Sequence, residues 1–169
     1  MTPPRTRPAG DGDERAQLTG WLDLQRAIVH LKCEGLAEAD AYRVLLPTSP
    51  RMTVAGLVSH LRWTEHCWFQ VLFLGEGAQE NPQFRDEPED ADWRVDGVPL
   101  GTLLDDYERQ CARSDRIVAA HSLDESGAHE LCRGATLRWM LLHMLEETAR
   151  HVGHADAVRE LLDGTRGYY

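Results

Sequence analysis

Four stretches in which apolar residues recur every three or four positions make this an all-α chain, a four-helix bundle with a long loop between helices two and three. Two further observations carry the same reading. No stretch alternates apolar and polar residues as a half-buried strand does, and no internal repeat is present. Capping residues also stand where the periodic stretches begin and end.

Residues 1–12 are rich in Pro, Gly and Arg and are expected to be a disordered tail, since they have little apolar surface to bury. Residues 13–169 are expected to form a single domain. The first helix runs from Asp13 to about Cys33, with Leu18, Trp21, Leu22, Leu24, Ile28, Val29 and Leu31 near a 3.6-residue period. Residues 35–51 hold a short helical turn and the proline-flanked connection Leu46-Pro47-Thr48-Ser49-Pro50. The second helix starts at Thr53, a suitable N-cap, and passes through Val54, Leu57, Val58, Leu61, Trp68, Val71 and Leu72 to a stop at Gly75 and Gly77. Residues 76–97 form a long acidic loop carrying Glu80, Asp86, Glu87, Glu89, Asp90 and Asp92 around Pro82 and Pro88; a loop of this length is a lid, a rim or a mobile segment. The third helix spans about Leu100 to His121, with Leu103, Leu104, Tyr107, Ile117 and Val118 inward. The fourth begins near Thr136 and ends at Asp163-Gly164, a C-cap signal.

At 169 residues the chain is long enough for one domain with a real core. Its formal charge of −10 argues against nucleic acid as a partner, because such binders present a basic face. No apolar run approaches the ~20 residues that span a bilayer, and the opening ten residues lack the apolar segment of a signal peptide, so a cytoplasmic location without membrane contact is expected. Cys33, Cys67, Cys111 and Cys132 show no Cys-x-x-Cys spacing and read as reduced, mostly buried thiols.

The chemistry gathers between Leu137 and Gly164. There His143, Glu147, His151 and His154 recur every three or four residues and stack along one stripe of the fourth helix. Glu147 and His151, at i and i+4, can both reach one divalent ion, and His60, set among Leu57, Val58 and Leu61 on the second helix, can close the set. Three protein ligands leave a position for water or substrate, as in a catalytic site. The competing readings are plain ones: His and Glu at this spacing are also common as solvated partners on a helix surface, and a lone inward His is also a core residue bonded to a backbone carbonyl. His154 reads as a neighbour that orients a ligand or as a structural residue, His143 as part of a rim, and Cys67 as a buried apolar thiol. Trp63, Trp68 and Trp139 can wall a pocket or fill the core. Glu146, Arg150 and Asp156 are expected to face solvent or a partner subunit, leaving a bound metal as the concentrated cation near the stripe.

The segments Met52-Thr53-Val54-Ala55-Gly56-Leu57-Val58-Ser59-His60-Leu61, with Glu65 and Trp68-Phe69 downstream, and His143 through Asp156, closed by Arg159-Glu160-Leu161-Leu162-Asp163-Gly164, resemble the DinB/YfiT-like superfamily of metal-binding four-helix proteins. The likeness is to its actinobacterial, mycothiol-transferase-like branch and covers most of residues 15–164. It implies His60, Glu147 and His151 as metal ligands, with Glu147 standing where many relatives carry a histidine. It also implies transfer of a low-molecular-weight thiol, such as mycothiol or bacillithiol, to a small electrophile at a bound divalent ion. Zinc suits such a mixed nitrogen and oxygen site receiving sulfur, with nickel, manganese and iron as alternatives. Homodimers are common among such proteins. The other class of reading is a non-catalytic metal- or ligand-binding stress-response bundle.

Overall fold

The computed structural model describes residues 5–85, 88 and 90–167. Asp86, Glu87 and Glu89 of the acidic loop, and residues 1–4 of the tail, lie outside the described residues. Helix α1 is Glu14–Cys33, α2 the single turn Glu38–Ala41, α3 Val54–Glu65, α4 Leu100–Ala120 and α5 Leu137–Asp163. No strand forms among the described residues; one isolated bridge joins Ser126 to Thr136. α1 packs chiefly on α5, and α3 on both α4 and α5.

Helices α1, α3 and α5 each begin at a side-chain cap. Asp13 accepts from Ala16 N–H, Thr53 from Gly56 N–H and Thr136 from Trp139 N–H, so each supplies an acceptor for the otherwise orphaned first-turn amides. α5 ends on Gly164 at φ +79°, a left-handed cap that favours glycine. The rod that starts as α3 continues without a break as a π-helix, His66–Leu74, before Gly75 ends it at φ +76°. Its wider turns are unusual, and the buried Gln70 within it is held by a hydrogen bond from Gln110 of α4 at 3.0 Å.

The apolar core falls into two clusters. One joins Leu24, Ile28 and Val29 of α1 to Val54, Val58 and Leu61 of α3, Tyr107 of α4, and Val152 and Val158 of α5. The other joins Leu22, Phe69, Leu72 and Phe73 to Ile117, Leu137, Met140, Leu141 and Met144. Charged groups are buried with them in pairs. Arg26 of α1 forks onto Glu65 of α3 at 2.7 and 2.8 Å and also meets Asp115 of α4 at 2.6 Å. Lys32, the only lysine, is buried and paired with Asp156 of α5 at 2.5 Å.

Three expectations about individual residues change. Trp21 is 38% exposed, because the stripe α1 buries is centred on Leu22, Ile28 and Val29. Leu31, Leu103 and Leu104 are only half-buried. Asp156 turns toward buried Lys32 instead of facing solvent alone, since an ammonium removed from water requires a counter-charge. In the tail, Gln17 donates to the Ala9 carbonyl at 2.7 Å, and Pro8 lies directly over Gly20.

Candidate metal centre

α3 and α5 pack together so that the inward stripe of one faces that of the other. On α3, His60 stands between the buried Leu57 and Leu61, and on α5 Glu147 and His151 occupy successive turns beside the buried Met144, Thr148 and Val152. The three side chains converge. His60 Nε2 lies 3.2 Å and His151 Nε2 3.1 Å from the same oxygen, Glu147 Oε1, and the potential donor atoms all fall within 4.8 Å of one another. Donors bound tetrahedrally at ~2.0 Å to one ion stand roughly 3.3 Å apart, close to the two nitrogen–oxygen separations.

The far nitrogen of each ring is already engaged. His60 Nδ1 meets Asp92 Oδ2 at 2.6 Å, and His151 Nδ1 meets His154 Nδ1 at 3.3 Å. A carboxylate only accepts, so His60 carries a proton on Nδ1 and donates it to Asp92. Its Nε2 therefore faces the Glu147 carboxylate with a lone pair unless a proton or a metal cation lies between them. The electrostatics reflect this crowding. Burial lowers the His60 pKa, but Asp92 and Glu147 outweigh it and hold the imidazole above its ordinary value. Hydrogen bonds from His151 and His60 keep Glu147 well below the usual carboxylate range. His154 is pushed down by burial and by His151 and Arg150.

Asp92 is one of eight acidic residues in an aperiodic loop, and its place at the site was not read from the sequence. It sits on a single 3₁₀ turn, Ala91–Trp93, with only 3% of its surface exposed. Ser59 donates to its backbone carbonyl at 2.7 Å, and Gln83 to its carboxylate at 2.9 Å. The next residue, Trp93, stacks on the His60 ring at 4.1 Å between centroids and meets His151 edge-on at 5.5 Å. The 3₁₀ turn Ala91–Trp93 thus forms a wall of the site, packed on α3. A signal was present in the Ala-Asp-Trp sequence only as the one aromatic in the loop's second half.

Other candidates lie further out. His143 does not join the triad and instead packs against Trp68 and Trp139, with centroids 4.2 and 5.6 Å away. Trp139 is 50% exposed, so this aromatic group is a surface feature. Cys67 is buried, and burial pushes its thiol up to about 12, which keeps it protonated and apolar. Arg150 pairs with Glu146 on the surface, yet its Nη1 also comes within 4.0 Å of Glu147 Oε2, so a side-chain cation does stand near the stripe. An open cleft of about 290 Å³, lined by Ser49, Pro50, Arg51, Met52, Asp90 and Trp93, shares its Trp93 wall with the donor set. A larger cleft of about 420 Å³ between α1 and α4 shares no residue with it.

Residues 17–164 match the family model of the mycothiol-S-transferases. The chain belongs to the mycothiol-S-transferase family. That family lies within the DinB/YfiT-like superfamily, in agreement with the helical bundle. No curated protein matches the sequence. The family implies a small thiol as substrate, and in this mycothiol-S-transferase family chain His60, Glu147 and His151 form a set able to hold a divalent metal. No helix among the described residues is long and apolar enough to cross a membrane.

Proposed function

We propose that this chain is a metal-dependent S-transferase that joins a mycothiol-like thiol to a small electrophile, with the ion held by His60, Glu147 and His151. The observation that carries the reading is the approach of two Nε2 atoms to one oxygen of Glu147, which gathers three side chains able to surround one cation. Zinc is the ion best suited to two imidazoles, one carboxylate and an incoming sulfur. A divalent ion there lowers the pKa of a thiol that reaches it, so that a thiolate is available at neutral pH.

The residues of the chain do the rest. Asp92 and His154 hold the two imidazoles by their Nδ1 atoms, which points both Nε2 lone pairs at one spot. Trp93 covers the His60 ring and keeps water from that side. The cleft on the other side of the loop, with Trp93, Met52 and Pro50 as apolar lining, offers room for a small co-substrate next to the site. In the transfer a sulfur–carbon bond forms, the bond from that carbon to its leaving group breaks, and the thiol proton departs to solvent.

The test is metal analysis of the purified chain, followed by a thiol-transfer assay with mycothiol and a generic alkylating electrophile. One equivalent of bound metal and turnover that a chelator abolishes are expected. Bound metal with no turnover would assign the site to a non-catalytic bundle, and absence of metal uptake would overturn the ligand set.

A further inference from the structure

The oxygen of Asp92 that holds His60 is itself held. Gln83 Nε2 donates to the same Oδ2 at 2.9 Å, and the Gln83 backbone is fixed one step further back, its N–H donating to Asn81 Oδ1 at 2.9 Å. Asn81 has no exposed surface although it lies in a loop. Its Nδ2 donates to the Trp63 carbonyl of α3 at 3.1 Å and faces His66 Nδ1 at 3.2 Å. His66 is 2% exposed, and Gly77, at φ +72°, lies so close that a Cβ there would stand 3.2 Å from His66 Nε2. An unbroken line of contacts therefore runs from the buried start of the π-helix through the loop to the outer nitrogen of His60.

We infer that Asn81 and Gln83 are positioning residues, which fasten the acidic loop to α3 and aim the Asp92 carboxylate at His60, and so set the orientation of the donor nitrogen on its far side. The inference rests on the metal reading given above. The physical reason is that a carboxylate on an irregular loop has two rotatable bonds and no helix to fix them. One donor on the backbone, Ser59, and one on the carboxylate, Gln83, remove that freedom before a ligand arrives. Gln83 is itself exposed, which makes it a residue whose replacement leaves the core untouched.

The full chain, stripped of metal, is titrated with Co²⁺, whose visible absorption bands report ligand geometry. Gln83→Leu removes the donor at nearly constant volume and charge. It is expected to weaken cobalt binding by about 10-fold, the loss typical of a disturbed outer partner, and to shift the absorption bands, with an unchanged melting temperature. In an Asp92→Asn background the same substitution is expected to add no further loss, because its effect runs through the Asp92 carboxylate. Asn81→Ala should reproduce the band shift. Unchanged affinity and bands in Gln83→Leu, or an equal loss in both backgrounds, would overturn the inference while leaving the metal reading intact. An unsubstituted chain that takes up no cobalt would overturn the metal reading and this inference with it.

Discussion

Among single residues, His66 carries the clearest acid sensitivity away from the donor set. Burial pushes its imidazole down to about 4; Arg62 and Arg113 push the same way, against Glu80 and Asp106. The ordinary value is 6.5, so as pH falls the unfolded chain takes up the proton first. The contribution to stability is complete above pH 6.5 and is lost as pH drops toward 4, by up to about 3 kcal/mol. Urea midpoints measured at pH 7 and 4.5 should show this fall, and His66→Gln should flatten it; an identical slope in the variant would exclude His66 as the source. At the site, His151→Ala should weaken metal binding by at least about 10-fold and end thiol transfer, while His154→Ala, which removes only a partner of the His151 ring, should be milder. Metal content of the two variants checks the order. His60, Glu147 and His151 were legible because each stands on a helix whose period says which way it faces. Asp92 was not, since eight carboxylates along an aperiodic loop offer no period by which to choose the inward one.

Elements were legible at their ends more than in their middles. Thr53, Gly75 and Gly164 announce caps by residue type alone, and all three serve as such. Thr53→Ala should cost about 1 kcal/mol in a denaturant titration through loss of the bond to Gly56 N–H. The π-helix was invisible, because its extra residue per turn leaves an apolar run as apolar as an α-helix would. The ties between elements were equally hidden: Glu65 was noted as part of a motif, but its partner Arg26 lies 39 residues earlier with no local signal. Glu65 is fully buried, and without it the Arg26 guanidinium keeps only Asp23 and Asp115, two carboxylates that are each more than half exposed. Glu65→Ala should therefore destabilise the fold by roughly 3 kcal/mol, read as a lower urea midpoint, with metal uptake by the folded fraction unchanged.

On the scale of the whole molecule, the donor set leans on a core that stands without it. Both apolar clusters and the Arg26–Glu65 and Lys32–Asp156 pairs bind the helices together through side chains other than the triad. Chelation should abolish turnover and leave the helical circular dichroism unchanged; a loss of helical signal on chelation would mark the site as structural. The order of the elements has a consequence for how such a site comes into being. Glu147 lies 87 residues beyond His60, on the helix that follows all the others. A ribosome that has delivered His60, Asp92 and Trp93 has still made only one of three donors, so a stalled or clipped product without α5 holds no competent site. With the proposed ligand set, uptake of an ion would thereby certify a chain whose translation has passed residue 151.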